Sequence, residues 1–498
     1  MSATLASSTV SEGRCAIMVA ALMATYMQAV TISPPNAALL YLQGTMSMAD
    51  DEVGWIFTSY IAASAVTLPT ARWLAGRYGR KTVYQLSIAI FVLGLVLATR
   101  AETAGQFVVA RVFQGGASGI LGPLSIAILL DILPPPQHTR VNLVWGVTVM
   151  LGLLSGPSIG GWLSEYHGWH SIFYVSLPIA AFIFLAMTLA LPEKRAVQNP
   201  PFDFFGWATF SSGMIGLQLL LDGGERLEWF DSPKIWAEAI ASIIGFYSFF
   251  VHILTTKAHF LNKALFKDGN FVLSTIMYFA FGFVLLPTIA LTSPMLDEIL
   301  NYPADATGYM AVPRSLALVG TLILAGRIPA RIDNRLIVAG GMALVVYGNW
   351  RMLGYSPLMD WWPVLNAGML QGAGLGILLP TLTKMAFSTL DPAFRPEGTV
   401  LFNLSRLYGS TIGIAVVLIF FYDNTQAMHV ALAKDLAALP RRRSCHGFDR
   451  QTGIGHAQRY AYGPGGFYWG HRSIQGHDDR HADRQPARAT AQKPSRAQ

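Results

Sequence analysis

The stretch LGLLSGPSIGGWL, residues 151–163, indicates the fold of this chain more directly than any other. It lies in an otherwise apolar segment, 143–163, which is long enough to cross a bilayer as a helix. Small residues recur in it at helical spacing with a proline among them: Gly152, Gly156, Pro157, Gly160 and Gly161. Glycines four residues apart share one helix face and let a neighbouring backbone approach closely, while the proline bends the helix. We predict a spanning helix that rocks against a neighbour; tight packing without motion is the alternative.

The composition agrees with a membrane protein. Of the 498 residues, 53% are hydrophobic and 13% are charged, whereas a soluble chain averages about 25% charged residues. Three stretches as wide as a bilayer carry no charge, namely 82–99, 112–130 and 269–296. Cys15 and Cys445 are too few and too far apart for a disulfide framework. The composition therefore predicts an all-α polytopic protein embedded in a lipid bilayer.

The hydropathy pattern predicts about thirteen transmembrane helices. Their limits are 15–41, 53–71, 82–99, 105–130, 142–164, 171–191, 204–222, 235–255, 270–292, 308–326, 336–353, 362–387 and 399–422. The loops alternate in charge, with basic loops such as those at Arg77, Arg140 and Arg327 separated by acidic ones. The positive-inside rule places the basic loops and the N-terminus in the cytoplasm. We expect a multi-pass protein of the cell (inner) membrane in this orientation.

Two basic loops indicate an internal duplication. Residues 72–81 read RWLAGRYGRK and residues 326–335 read GRIPARIDNR, so that Arg77 aligns with Arg331. Transporter folds built from repeats place equivalent turns in their two halves, although any short cytoplasmic loop collects basic residues. We predict a fold of two six-helix bundles with an inserted helix pair between them. The expected units are a cytoplasmic N-terminus (1–14), an N-terminal bundle (15–191), a linker with two inserted spans (192–256), a C-terminal bundle (257–435) and a tail (436–498).

Six motifs, in order, resemble those of one family. They are RWLAGRYGRK (72–81), FVVARVFQGGASG (107–119), the glycine-rich span five, GWHSIFYVSLP (168–178), LDGGERLEWFDS (221–232) and RPEGTVLFNLSRLYGSTIGIA (395–415). Over residues 14–435 the chain resembles the drug:proton antiporters with fourteen spans, a family of multidrug efflux permeases within the major facilitator superfamily. Each motif alone is moderately specific, and six in the expected order are highly specific.

The resemblance implies a secondary active transporter that exports drugs or other amphipathic molecules by proton antiport with alternating access. The residues that match the family's transport motifs are Arg77, Gly79, Arg80, Lys81, Arg111, Gln114, Gly115, Gly152, Gly156, Pro157, Gly160, Gly161 and Arg331. Relatives in double-membraned bacteria work with a periplasmic adaptor and an outer-membrane channel, which the resemblance implies as partners. The sequence has no phosphate-binding GxxxxGK(S/T) motif and no metal-ligand spacing, so we expect no enzyme activity, cofactor, metal or nucleic-acid partner.

Two departures from the family pattern bear on proton coupling. The Asp of the loop motif is Gly76 here and Ala330 in the second copy. In span one, YMQAVTISPPNAALL (26–40) places Thr31 where the family often carries an Asp that is thought to take part in proton coupling. A threonine does not titrate near neutral pH, so the proton carrier would have to be another group.

Arg111 is a charge inside a span, which is costly unless it faces a cavity or a partner. Arg111, Gln114, Gly115, Ser118 and Gly122 share one helix face. We predict a role for Arg111 in the transport cycle, with a structural bond to backbone carbonyls as the alternative.

Asp131, at the cytoplasmic end of span four, is the candidate partner of Arg77 or Arg80 in a cytoplasmic gate; a solvated helix-end carboxylate is the alternative.

Seven polar or aromatic residues in the spans are candidate substrate contacts: Gln28, Thr31, Asn36, Tyr60, Trp145, Gln371 and Asn403. The pair Pro34–Pro35 should break the first span beside three of them, and broken helices at mid-membrane frequently line binding sites. A single tyrosine or tryptophan in a span is also a common interface anchor or packing residue.

The composition changes after about Pro440, where Gly-, His- and Arg-rich sequence replaces the fourteenth span that the resemblance predicts. We expect this tail to be disordered, and a reading-frame change near 436–441 is our hypothesis for its origin. Two other functions remain open: uptake or facilitated exchange of a metabolite without proton coupling, and a truncated product that does not transport.

Overall fold

The computed structural model describes residues 2–32, 38–48, 54–192, 202–224, 227–256, 263–296, 302, 304–327, 332–355, 359–391 and 394–438. Three sets of predictions lie outside these residues: Asn36 with Pro34 and Pro35, the basic-loop residues Ala330 and Arg331, and the tail from 439 onward. All regular secondary structure within the described ranges is helical.

Fifteen α-helices follow one another along the described chain. They are α1 (Ser2–Val30), α2 (Leu39–Met46), α3 (Trp55–Thr67), α4 (Ala71–Tyr78), α5 (Arg80–Thr99), α6 (Ala104–Ile132), α7 (His138–His167), α8 (Ser171–Ala190), α9 (Phe204–Gly223), α10 (Pro233–Thr255), α11 (Gly269–Pro294), α12 (Ala304–Ala325), α13 (Asn334–Met352), α14 (Trp362–Ser388) and α15 (Arg395–Ala438).

Ten of the thirteen predicted spans are confirmed by length and composition. Ten of the described helices, α5 to α12 together with α14 and α15, are long and apolar enough to cross a membrane. The other three predicted spans coincide with the apolar part of α1 (Arg14–Val30), with α3 and with α13. The first span differs in detail, because α1 ends at Val30, within the predicted limits 15–41, and the next described helix begins at Leu39.

The packing repeats between the two halves of the chain. A Cβ on Gly115 of α6 would overlap the carbonyl oxygen of Tyr60 on α3, and a Cβ on Gly372 of α14 would overlap that of Arg314 on α12. The glycine four residues further along each helix repeats the pattern: Gly119 meets the carbonyl of Ser64, and Gly376 meets that of Leu318. The duplication inferred from the loops therefore extends to the buried helix contacts.

A pair of threonine hydrogen bonds closes the same two contacts. Thr67 Oγ1 donates to the carbonyl of Gly116 at 2.8 Å, and Thr321 Oγ1 donates to the carbonyl of Ala373 at 3.0 Å. In the absence of water between helices, such bonds and close backbone contacts hold spanning helices together.

Two seams join the halves. At the first, α7 packs against α12, and at the second α3 packs against α15. The inserted pair α9 and α10 lies beside the second seam, where Trp207 Nε1 donates to the carbonyl of Val66 at 2.8 Å and Phe210 contacts the ring of Tyr408. Within that pair, Gly213 and Gly245 bring the two backbones together.

The outer surface is apolar. Large hydrophobic side chains stand exposed along the helices, among them Leu86, Leu185, Leu189, Ile243, Leu254, Leu316 and Leu336. A soluble monomer rarely exposes so much contiguous apolar surface, so this surface suits the hydrocarbon of a bilayer. The polar side chains that are buried instead lie between helices, where they form the candidate site.

We predict that Gly119→Ala destabilises the fold and that Gly116→Ala on the same helix does not. A methyl group at 119 would overlap the Ser64 carbonyl and Thr67 Oγ1, whereas at 116 the nearest atom is a threonine methyl at 3.6 Å. Overpacking of this kind costs about 1–3 kcal/mol. Thermal unfolding of the purified protein in detergent measures the difference, and equal unfolding temperatures would contradict the close contact.

Candidate functional site

Arg111 is buried at the centre of the N-terminal half and is held by backbone carbonyls. Its Nε donates to the carbonyl of Ile56 at 2.9 Å, and Nη1 donates to that of Thr31 at 2.9 Å. Nη2 donates to the carbonyl of Ile32 at 3.3 Å, and the guanidinium lies 4.5 Å from the ring centre of Tyr60. The last carbonyls of a helix have no partner within it, so Arg111 caps the C-terminal end of α1 and ties it to α3.

The neighbouring polar residues complete one network. Gln114 accepts from Arg111 Nη1 at 2.9 Å and donates to the carbonyl of Gly94 on α5 at 3.0 Å. Tyr60 Oη donates to the carbonyl of Gln28 at 3.0 Å, and Ser118 Oγ donates to the Gln28 side chain at 3.2 Å. The structure thus brings together Gln28, Thr31, Tyr60, Arg111, Gln114 and Gly115. Because these groups satisfy one another, the contacts of Arg111 favour its structural alternative; its role in transport stays a prediction.

Thr31 contributes no titratable group to this network. Its hydroxyl is buried and donates to the carbonyl of Met27 at 2.6 Å, one turn earlier in α1. An aliphatic hydroxyl does not ionise near neutral pH, so it cannot release or take up the proton that coupling requires. The group that the family pattern places here is therefore replaced by a capping hydroxyl.

The basic loop forms a helix–glycine–helix corner. Gly79 joins α4 to α5 with φ +87°, a backbone conformation that favours glycine. Directly after it, Arg80 forms an ion pair with Asp131 at the end of α6. Arg77 is exposed and its guanidinium lies 5.7 Å from the ring centre of Trp73 and 5.6 Å from that of Tyr78, while Lys81 is half-buried. Arg80, one of the two arginines proposed for Asp131, thus contacts it.

The glycine-rich helix α7 contacts both halves. On one side a Cβ on Gly152 would lie 2.7 Å from the Cβ of Ala29 and 2.8 Å from the Tyr26 carbonyl, both in α1. The other motif members are buried: Gly156, Pro157, Gly160 and Gly161.

On its other side α7 meets α12. A Cβ on Gly308 would lie 2.8 Å from Cα of Ser158 and 2.9 Å from the carbonyl of Pro157. Ser158 Oγ donates to the Gly308 carbonyl at 2.6 Å, and Ser315 Oγ donates to the Leu154 carbonyl at 3.2 Å. The motif that predicted a rocking helix therefore lies on the seam between the halves.

The other predicted substrate contacts lie apart from this network. Gln371 on α14 repeats the position of Gln114 in the second half, and it donates to Thr288 and Asn349 at 3.0 and 2.7 Å. Trp145 on α7 is half-buried, and its indole nitrogen has no hydrogen-bond partner within the described ranges. Asn403 bonds back to the carbonyl of Thr399 in its own helix at 2.9 Å.

Sequence reasoning missed Arg314, at the middle of α12. Only 7% of it is exposed, and its Nε and Nη2 atoms are buried with no hydrogen-bond partner among the described residues. It lines a cavity at the α7–α12 seam together with Leu154, Pro157, Thr292 and Tyr355. A charge within a predicted span is by itself a signal of function, and Arg314 carried that signal as plainly as Arg111 did.

A second missed feature is a pair of carboxylates on the inserted helices. Asp222 on α9 accepts from Gln218 at 2.9 Å, and Glu238 on α10 lies near enough to repel it electrostatically. Asp222 Oδ2 and Glu238 Oε2 are buried, and neither has a hydrogen-bond partner in the described part of the chain.

Comparison with known proteins confirms the resemblance inferred from the motifs. A model described as the Major Facilitator Superfamily matches residues 17–414. The multidrug export protein EmrB of Haemophilus influenzae is 26% identical over 445 residues, which are 88% of this chain and 87% of the relative. EmrB of Escherichia coli K12 is also 26% identical, with 89% and 86% covered, and the fatty acid resistance protein FarB of Neisseria gonorrhoeae is 28% identical, with 82% and 80% covered.

Two solved structures share the fold. A variant of the nucleoside transporter NupG has a TM-score of 0.58 at 12% identity, with 82% of this chain and 92% of that chain covered. A D-xylose–proton symporter has a TM-score of 0.57 at 12% identity, with 81% and 88% covered.

We predict that Arg111→Gln destabilises the fold, because the carbonyls of Ile56, Thr31 and Ile32 lose their donor. Each orphaned buried group costs about 1–3 kcal/mol, and Arg111→Lys should recover only part of the loss, since an ammonium lacks the guanidinium fork. Thermal unfolding in detergent measures this, with the exposed Arg72→Gln as the control. An unfolding temperature unchanged by Arg111→Gln would contradict the structural role.

Proposed function

The chain belongs to the major facilitator superfamily, and we propose from that premise that it is a secondary active transporter that exports amphipathic small molecules in exchange for protons. Transport proceeds by alternating access, in which the two halves rock about their seams and open a shared cavity to either side. The two halves in this proposal are the bundles predicted at 15–191 and 257–435, with the inserted pair at 192–256 between them.

The observation that carries the proposal is the α7–α12 seam. It is built from small residues and backbone contacts at Gly308, Ser158 and Leu154. It also borders the cavity that Pro157 and Arg314 line. A seam of small residues with few side-chain locks permits sliding or rocking of packed helices, whereas an interdigitated seam resists it.

The relatives support export as the direction and amphipathic compounds as the cargo. The names of two of them describe multidrug export and fatty acid resistance. Amphipaths share an apolar body, and its burial is non-directional, so one apolar cavity with few polar groups accepts several of them.

We place the protein in the inner membrane. The charge of the loops supports an orientation with the N-terminus and the basic loops in the cytoplasm. A periplasmic adaptor and an outer-membrane channel are the partners that we propose from the family resemblance, because such partners would carry the cargo past the second membrane.

Asp222, with Glu238 beside it, is the group that we propose for proton coupling in place of Thr31. Both have a buried carboxylate oxygen without a partner among the described residues, and both lie on the inserted pair, which touches α3 and α15 at the second seam. Taking up a proton at Asp222 removes its repulsion from Glu238, so the protonation of Asp222 can bias how that seam packs.

We expect the protein in liposomes to move amphipathic dyes against a concentration gradient when a pH gradient is imposed, and not without one. Ethidium, N-phenylnaphthylamine and anilinonaphthalene sulfonate supply cationic, neutral and anionic probes. Asp222→Asn should abolish pH-driven movement, because an amide does not titrate, while the exposed Asp231→Asn keeps it. Failure of all three dyes to respond to the pH gradient would overturn the proposed function; an active Asp222→Asn variant would overturn only the assignment of the carboxylate.

We predict that Gly308→Ala slows dye movement and that Gly320→Ala on the same helix does not. A methyl group at 308 would meet the α7 backbone at 2.8–2.9 Å, whereas nothing lies within 4 Å of one at 320. A cost of about 1–3 kcal/mol in one state shifts the balance of states roughly 5- to 150-fold. Initial rates in liposomes test this, and equal rates for the two variants would contradict a moving seam.

A further inference from the structure

Among the residues that the structure describes, each half buries one arginine, and the two arginines differ in what surrounds them. Arg111 is enclosed by carbonyl oxygens and the Gln114 side chain. Arg314 is buried to a similar depth, yet its Nε and Nη2 have no hydrogen-bond partner within the described residues. A guanidinium stays charged at any physiological pH, and a charge at the middle of a spanning helix needs a partner or a cavity.

The internal repeat explains why Arg314 is not enclosed by carbonyl oxygens as Arg111 is. Gly372 packs on the carbonyl of Arg314 as Gly115 packs on that of Tyr60, so Arg314 stands at the position that Tyr60 has in the first half. Gly368 lies three residues before Gln371, as Arg111 lies three residues before Gln114. In the second half the buried cation therefore lies on α12, which corresponds to α3, and not on α14, which corresponds to α6. A glycine of α14 faces it: a Cβ on Gly368 would lie 3.4 Å from that of Arg314. The glycine leaves room beside the guanidinium.

That room is part of the cavity at the α7–α12 seam. Apolar residues from both halves line it, including Leu154 and Pro157 of α7 and Ile289 of α11. Polar atoms without hydrogen-bond partners among the described residues belong to the same lining, namely Nε and Nη2 of Arg314 and the Tyr355 hydroxyl. The cavity thus combines an apolar wall with hydrogen-bond donors at one place.

We propose that Arg314 binds the anionic headgroup of an amphipathic substrate in this cavity, while the apolar lining takes its hydrocarbon part. A guanidinium presents paired N–H donors that match the two oxygens of a carboxylate, sulfonate or phosphate. The Tyr355 hydroxyl is a further donor for such oxygens. This inference rests on the proposed function, since it names the class of molecule that the exporter carries.

Three matched probes with the same twelve-carbon chain test the inference in bacteria that lack their own efflux pumps: dodecanoate, dodecanol and dodecyltrimethylammonium. We expect the full chain to raise the inhibitory concentration of dodecanoate. Arg314→Gln should lose about tenfold to a hundredfold in apparent affinity for dodecanoate, and Arg314→Lys should retain part of it. Arg100→Gln removes one exposed arginine outside the helices and should behave as the unsubstituted chain.

The outcomes separate the inference from the function beneath it. Protection against dodecanoate that survives Arg314→Gln overturns the inference, and so does protection confined to dodecanol or dodecyltrimethylammonium, while both leave export standing. Protection against none of the three overturns export itself. An equal loss of protection against every probe by Arg314→Gln would show that the arginine is structural.

A second measurement covers the case in which Arg314→Gln does not accumulate in the membrane. Dodecanoate should raise the thermal unfolding temperature of the purified unsubstituted protein, and dodecyltrimethylammonium should not. In Arg314→Lys the shift caused by dodecanoate should be smaller. An equal shift by both probes would overturn the inference.

Discussion

The close approach of helix backbones at glycines is the constraint on which the rest of this structure depends. Lipid tails are as apolar as the side chains that face them, so burial in the bilayer does not by itself hold two helices together. Close packing and interhelical hydrogen bonds have to do so, and both require small residues at the contact. Gly115 and Gly119 in one half, and Gly372 and Gly376 in the other, each meet a carbonyl of the facing helix. At the seam between the halves, Gly308 does the same on α7.

The same constraint governs the buried charges. Where backbones approach closely, carbonyls become available as partners, and Arg111 takes three of them. It thereby fixes the end of α1 beside α3 and α6 and makes the first half a single rigid network. Arg314 stands in the corresponding space of the second half without such partners, and it lines the cavity to which both halves contribute. We therefore propose that one repeat uses its cation for structure and that the other keeps its cation open to a ligand.

The sequence was sufficient for the fold and for most of the first network. Thirteen spans could be located because a lipid-facing helix must be apolar over its whole length, and the repeat left a trace in the loops. The partners of Arg111 could not be predicted, because they are backbone carbonyls, which every residue has. Arg314 could have been found as a charge inside a span, but its surroundings depend on Gly368, which lies two helices later in the chain and faces it only in the fold. The carboxylates Asp222 and Glu238 come together only because α9 and α10 pack at Gly213 and Gly245.

We propose that α7 and α12 move against each other during transport. Tyr166 near the end of α7 donates to Asp305 at the start of α12 at 3.1 Å, so cysteines at these two positions can be joined by a short thiol cross-linker. The measurement is the rate of pH-driven dye movement before cross-linking, after it and after reduction, in a chain whose Cys15 and Cys445 are serines. We expect cross-linking to stop movement and reduction to restore it. Undiminished movement with the cross-link complete would contradict the proposal.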